Sequence, residues 1–523
     1  MNSWRTLCAI AALLLIAGCD IPNAEIKGTV TYEKVPHSDL SHGLEYTKSF
    51  DAPVRGVPVE LLEDGQVIDT DITDELGQYK FLKKMDTFVQ IRVRAESVNG
   101  TDDGDEHEWQ VKVVDNTNDK ALYTMMTDVF KVNRESLNKD LHASSGWVEG
   151  KGYANTRSAA PFHILDKVYD IIVKLKAVDN VKLPALTVNW SPNNISSQVE
   201  DFATGKIITS HYQNNEIYLL GAENVDTDEY DQHVIIHEWG HFFEDNLARS
   251  DSIGGAHAGG DYLDMRVAFG EGFGNAWSAM ITDKPIYQDS FDVDQAAGFS
   301  IAIENNNVVN PGWFSEGSVQ SVLYDIYDEA TDGQDFIQLG LKPILAVLQG
   351  QQKETPAFTS IFSFMTYLKE QHPEYSNDFS KLLEAQSITS DVDIWGSNAT
   401  NDGTVAEALP LYLDMQPGDM QRVCTSTSQG ADWNKLANHR FLKLNAPSAG
   451  SYTLTLTPSR NNDIDGYILN KGEEIAKDEA PGIEPVILTV DLPQGISIAD
   501  TIAYDEAGTS VMATCFDAEF TMN

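Results

Sequence analysis

Apolar residues recur at every second position through the first part of the chain and at every third or fourth position through its middle. Ile26, Val30 and Tyr32 fall on one side of a strand. Val57, Val59 and Leu61 alternate with polar neighbours, as do Val89, Ile91, Val93 and Ala95, and then Trp109, Val111 and Val113. A period of two belongs to a half-buried strand, and Asp64-Gly65 between two such runs marks a hairpin turn. From residue 145 the period lengthens. Ile164, Leu165, Val168, Ile171, Ile172 and Leu175 have helical spacing, and further helices are expected around 317–330, 336–349 and 357–369. After residue 415 alternation returns, in Tyr452, Leu454 and Leu456 and again in Val486, Leu488, Val490 and Leu492. At 523 residues the chain exceeds one ordinary domain. The pattern predicts a multidomain α+β protein with a β module over 19–140, a mixed domain over 145–412 and a second β module over 415–523.

Inside the mixed region, residues 231–247 form a helix-length stretch that is apolar nearly all round, with Asp231 available near its start. It carries His237-Glu238-Trp239-Gly240-His241. Residues four apart share one face of a helix, so the two imidazoles can converge on one metal ion while Glu238 stands beside them. Zinc held by three protein ligands keeps a fourth position open for water. A third ligand is offered by Glu271 in Gly270-Glu271-Gly272-Phe273-Gly274, where small residues permit close approach to the His-bearing helix. Glu244, His257, Asp261 and Asp264 are other candidates; His257 lies in a glycine-rich loop and reads as a substrate-loop or solvent-exposed residue. Glu271 is the expected ligand.

HEWGH followed 30 positions later by a Glu in this glycine-rich setting resembles the gluzincin metallopeptidases, the thermolysin and aminopeptidase-type clan, over about residues 215–330. The resemblance implies a zincin-like fold for 145–412, one catalytic Zn2+ on His237, His241 and Glu271, and Glu238 as the carrier of the water's proton. In the thermolysin branch an Asp four residues after the third ligand supports a zinc-binding His. Asn275 stands there instead, able to accept from an imidazole N–H but without the charge that raises ligand basicity. The oxyanion donor that gluzincins recruit downstream is left unassigned, with Tyr324 and Tyr327 on a predicted helix. The strand Glu216–Leu220 stands where zincins place an edge strand that pairs with an extended substrate, with an ordinary core strand as the equal alternative. In the first module, Thr73-Asp74-Glu75-Leu76-Gly77-Gln78-Tyr79-Lys80-Phe81 resembles the signature of transthyretin-like, carboxypeptidase-regulatory sandwiches. The last module is similar to the jelly-roll-like β-sandwiches that follow bacterial secreted peptidases.

Charge and cysteines place this chemistry. Arg5 and the ten-residue apolar run Leu7–Ile16 predict an export signal over 1–18, too short to span a bilayer. Leu15-Ile16-Ala17-Gly18-Cys19 resembles the bacterial lipobox, which implies a lipid on Cys19 and an anchor in the cell envelope, with inner or outer membrane left open. Of four cysteines, Cys424 and Cys515 then remain, and in an exported chain they are expected to form one disulfide. A net charge of −44 repels phosphate and excludes nucleic acid as a partner. The same acidity raises calcium as a second cation, but the EF-hand-like start Asn461-Asn462-Asp463-Ile464-Asp465-Gly466 has Gly472 where a bidentate Glu is needed. The expected function is an exported, lipid-anchored zinc metallopeptidase acting on protein or peptide. The alternatives are a catalytically idle zincin-fold scaffold lipoprotein and a zinc hydrolase of a non-peptide bond.

Overall fold

The structure is a computed structural model that describes residues 23–99, 108–179, 182–304, 307–329 and 336–523. The expected signal segment 1–18 and Cys19 lie outside the described residues. Among those described, no helix is long and apolar enough to cross a membrane.

The first module is built on one long strand, Asn23–Lys34, in which Ala24, Ile26, Val30 and Tyr32 are buried. It pairs antiparallel with Gln78–Lys84 and Phe50–Pro53, and parallel with Ser136–Asn138 and Leu141–Ala143. A second sheet is organised on Pro58–Glu63, which lies between Gln66–Ile72 and Phe88–Arg94. The turn at Asp64 and Gly65 has φ of 50° and 77°, both left-handed, as a two-residue hairpin matched to strand twist requires.

The strand Gln110–Asp115 belongs to a different sheet from its predecessors. The order there is His211–Gln213, Glu216–Leu219, Leu186–Trp190, Gln110–Asp115, Glu96–Val98, with Ala121–Leu122 also on Gln110–Asp115. This sheet runs across the boundary expected between 140 and 145. Alternation at Val111 and Val113 reports which side is buried, not which sheet buries it. Glu216–Leu219 is also not an edge: it pairs parallel with Leu186–Trp190 on one side and antiparallel with His211–Gln213 on the other. Asn214 and Asn215, with φ of 50° and 60°, make the tight turn that folds His211–Gln213 over it and leaves that short strand at the edge.

Helix α1 (Ala160–Val178) packs on this sheet and touches α2 (Gln232–Asn246) and α3 (Met265–Thr282). Every residue of α3 from Met265 to Ile281 is buried, so it runs through the centre of the domain, between α2 and α4 (Glu316–Tyr327). Helices α5 (Leu341–Gln349) and α6 (Ile361–Gln371) stand near the expected positions, and α7 (Ser376–Ala385) adds one that the pattern did not indicate. Asp231 does not cap α2. Its carboxylate instead accepts from the Ser290 backbone N–H at 2.8 Å and pairs with His37 at 2.9 Å.

The last module is two facing sheets, five strands over Tyr412–Met415, His439–Ala446, Gly495–Tyr504, Asp463–Asn470 and Glu473–Asp478, and four over Met420–Cys424, Cys515–Met522, Gly450–Pro458 and Val486–Leu492. Leu442, Leu444, Leu454, Leu456, Phe516 and Phe520 fill the space between them. Cys424 and Cys515 are bonded to each other across adjacent antiparallel strands, so the bridge lies within one sheet. Asp463–Asn470 is a paired strand, which removes the loop an EF-hand-like calcium site needs.

Candidate metal centre

Helix α2 buries nearly its whole circumference, including His237, Glu238 and Glu244. His237 Nδ1 donates to Asn275 Oδ1 at 3.0 Å, and Asn275 Nδ2 donates to Gln320 Oε1 at 3.0 Å, so one amide ties α2, α3 and α4 together. With Nδ1 committed, the Nε2 lone pair of His237 faces inward. It lies 3.0 Å from His241 Nε2 and 3.2 Å from Glu271 Oε2, and His241 Nε2 is 3.5 Å from the same oxygen. The three ligand atoms of His237, His241 and Glu271 all lie within 4.8 Å of one another. His241 Nδ1 is 3.5 Å from the buried Glu244 carboxylate.

Burial pushes the Glu271 carboxyl up, but His241, His237 and His257 outweigh it and hold it well below its ordinary value. Burial opposes protonation of His241, yet Glu271 and Glu244 raise it well above the usual imidazole value. Glu238 has no such compensation at full strength: burial raises its carboxyl despite the two neighbouring histidines. Two imidazoles and a carboxylate this close, with the outer nitrogens engaged elsewhere, form a donor set of the composition that zinc takes.

Two further residues enter the site: His257, a lesser ligand candidate in the sequence, and Glu316, which the sequence pattern did not place there. His257 turns inward, with Nε2 3.2 Å from Glu271 Oε2 and 3.6 Å from Glu316 Oε2. Its side chain is 30% exposed, against 9% for His237 and Glu271, so it stands on the solvent side of the centre. Burial opposes its protonation, while Glu271 and Glu316 raise it to about 9. Glu316, the first residue of α4 after the cap Ser315, is buried, and burial raises its carboxyl. A cap-plus-acid start at Ser315-Glu316 was the one local signal for its position. Tyr324 and Tyr327 do not reach the centre: the Tyr327 hydroxyl donates to Asp283 and accepts from Lys174, and Tyr324 packs its ring on Tyr327. Asp261 pairs with Lys435, and Asp264 caps α3.

Residues 177–389 match the family model described as the mycolysin C-terminal domain, less than half of the chain but all of this centre. No curated protein matches the chain. Among solved structures, the pre-peptidase C-terminal domain of a collagenase from Bacillus anthracis is similar at 8% identity and a TM-score of 0.17, covering 21% of this chain and 94% of that one. A protein described as carbohydrate binding from Pseudomonas aeruginosa is similar at 10% identity and a TM-score of 0.14, covering 24% and 92%. At these TM-scores neither likeness bears on function.

Within the mycolysin-type region the close approach of α2 and α3 depends on glycine. A Cβ at Gly274 would stand 2.8 Å from the His237 ring, which its bond to Asn275 holds in place. Gly274→Ala gains about 1 kcal/mol of helix propensity but forces that ring aside at a cost of about 1–3 kcal/mol. The expected outcome is a folded protein with weakened metal retention, read by chelator competition. A variant that retains metal as well as wild type contradicts it.

A second carboxylate group, Asp226, Asp228 and Asp289, lies beside α2 with ligand oxygens within 4.8 Å of one another. Burial first, then the Asp231 charge, raises Asp226 to about 7 and Asp289 to about 9, and burial with the charges of Asp226 and Asp289 raises Asp228 well above its ordinary value. Acids raised in the folded state bind protons more tightly there than in the unfolded chain. Their stabilisation is complete below the unfolded value of about 4 and is lost as pH rises through the folded values. In excess chelator the urea midpoint is therefore expected to fall between pH 5 and pH 9, and to fall less in Asp289→Asn. Equal slopes in both proteins would exclude this group as the cause.

Proposed function

We propose that this chain is a zinc-dependent metallopeptidase of the gluzincin kind, exported and anchored in a bacterial cell envelope through lipid on Cys19. The observation that carries the reading is the convergence of His237 Nε2, His241 Nε2 and Glu271 Oε2 inside 4.8 Å, from two helices that glycine lets meet. The mycolysin-type match over the same residues supports it. A zinc ion held by these three groups would polarise a carbonyl and acidify a water molecule.

The chain's own residues account for the rest. Asn275 fixes the ring of His237 and its tautomer, through a bond that also reaches α4. Glu238, next to His237 and buried, takes the proton of the attacking water and passes it to the leaving amine. The edge strand His211–Gln213 offers backbone groups to an extended polypeptide, which favours broad sequence preference and a protein or peptide substrate. Net charge of −44 keeps nucleic acid away.

The test is hydrolysis of an unfolded protein by the full exported chain, before and after chelator, with each of several divalent ions returned. Activity lost with chelator and restored by zinc at one ion per chain is expected. Activity indifferent to chelator, or none with zinc restored, overturns the reading.

A further inference from the structure

We propose that the cavity between the metal-bearing domain and the last β module is an exosite that takes a Lys or Arg side chain of the substrate polypeptide, a few residues from the cleaved bond. The inference rests on the metallopeptidase reading and narrows its substrate class to chains with a basic residue at that place. The cavity is partly open and measures about 570 Å³. Two residues of its wall tie it to the metal centre. The Ser252 Cβ lies 3.4 Å from where a Cβ on Gly270 would stand, and Gly270 immediately precedes Glu271. Arg266 is on the same helix as Glu271, about 7.5 Å before it along the axis. An extended chain spans that length in about two to three residues. Trp433, 48% exposed, also lines the cavity and lies against Gly255, in the loop that brings His257 to the centre.

The opposite wall, one face of the five-stranded sheet, sets the chemistry. Residues directly opposite each other on antiparallel strands point to the same side. Asp465 is opposite Ile502, Tyr467 is opposite Asp500 and Asp463 is opposite Tyr504. Asp465 therefore shares its face with Tyr467, Asp500, Ile502 and Tyr504, all of which line the cavity. It is 8% exposed, and its Oδ1 meets no donor among the described residues. Burial first, then the charges of Asp463, Glu479 and Asp478, raises its carboxyl to about 7. Burial, then Asp465 and Asp500, likewise raises the Tyr504 hydroxyl. A buried carboxylate without donor or counter-charge is costly, and an entering cation relieves it. The cations already on this wall are committed. Arg266 pairs with Asp264 and Asp500, and Lys477 lies 3.3 Å from Glu479 and 3.7 Å from the cavity residue Glu474. A metal ion does not suit the wall. Among the described residues, the groups with three ligand atoms inside 4.8 Å are His237, His241 and Glu271, and Asp226, Asp228 and Asp289, and none of these lines the cavity. Carboxylates spread among aromatic faces suit an organic cation, whose stem packs on the rings while its head meets the charge.

The experiment uses unstructured peptides of one sequence, with an Arg moved position by position away from the cleaved bond. Each is matched to a peptide with citrulline, which keeps the shape and removes the charge. Affinity for the full zinc-loaded Glu238→Gln chain is measured by titration calorimetry, and kcat and KM are measured with Glu238 intact. At one position, about two to four residues from the cleaved bond, Arg is expected to bind about tenfold more tightly than citrulline. KM falls by the same factor, with kcat little changed. Asp465→Asn removes most of that preference. Glu474→Gln, whose side chain is 44% exposed and whose replacement leaves the fold intact, removes part of it. Both variants keep zinc content and turnover of the citrulline peptides at the wild-type level. Equal affinity of Arg and citrulline peptides at every position overturns the proposal, and so does an Arg preference that survives undiminished in both variants. Absence of hydrolysis by the zinc-loaded wild type strikes the metallopeptidase reading alone, and the Arg-over-citrulline binding then decides whether the cavity takes a cation.

Discussion

Replacing Glu238 by Gln is expected to leave zinc bound and to lower kcat by about 100–10,000-fold. The side chain is nearly isosteric, and Glu238 makes no contact on which the ligand geometry of His237, His241 and Glu271 depends. On the proposed reading the substitution removes the acceptor for the water's proton. Glu238 stands one residue, about 100° of helical rotation, from His237, so it lies beside the ligand face and not on it. The loss should therefore appear in kcat and kcat/KM together, with KM little changed. Hydrolysis of an unfolded protein at matched zinc content checks this. Equal turnover in Glu238→Gln contradicts the assignment, and loss of zinc would place Glu238 among the structural supports of the site.

Asp500→Ala is expected to destabilise the protein by about 3–5 kcal/mol. Arg266, the second residue of the helix that bears Glu271, is buried and donates to Asp500 Oδ2 at 2.7 Å and to both oxygens of Asp264 at 2.9 Å. His439 pairs with the other Asp500 oxygen at 2.7 Å, and the guanidinium lies over the rings of Phe358 and Phe441. Without the Asp500 carboxylate, a buried guanidinium keeps a single acidic partner, Asp264. Burial alone pushes the Asp500 carboxyl up, but Arg266 and His439 outweigh it and hold it well below its ordinary value. Its stabilisation is thus present above the unfolded value of about 4 and is lost as acid protonates it. Urea denaturation at pH 7, followed by tryptophan fluorescence, should show a clearly lower midpoint for Asp500→Ala. A midpoint like that of wild type would mean that the last β module does not hold α3 through this pair.

That network explains why parts of the molecule could be read from the chain and others could not. His237 and His241 were legible because helical spacing alone puts them on one face, and Glu271 because its flanking glycines announce a close approach that the structure uses. Asn275 stands against His237 as its offset from Glu271 suggested. These are relations within or between two short segments. His257 has no periodic context, and the Ala256 carbonyl before it accepts from Asn434 Nδ2 and Lys435 Nζ, far along the chain. The strand Gln110–Asp115 alternated legibly but joined Leu186–Trp190, because partner choice in a parallel sheet is a long-range decision. Of the two readings of Glu216–Leu219, edge or core strand, the structure shows the core one, and the signal that decides between them is the Asn214-Asn215 turn beside it.

The central claim is the three-ligand zinc site, and the most direct measurement is metal content by elemental analysis of the purified full chain, beside Glu271→Ala. One zinc per wild-type chain, and markedly less after the same dialysis in Glu271→Ala, is the predicted result. A wild-type chain without zinc after purification in zinc-containing buffer, or equal zinc in both proteins, would contradict it.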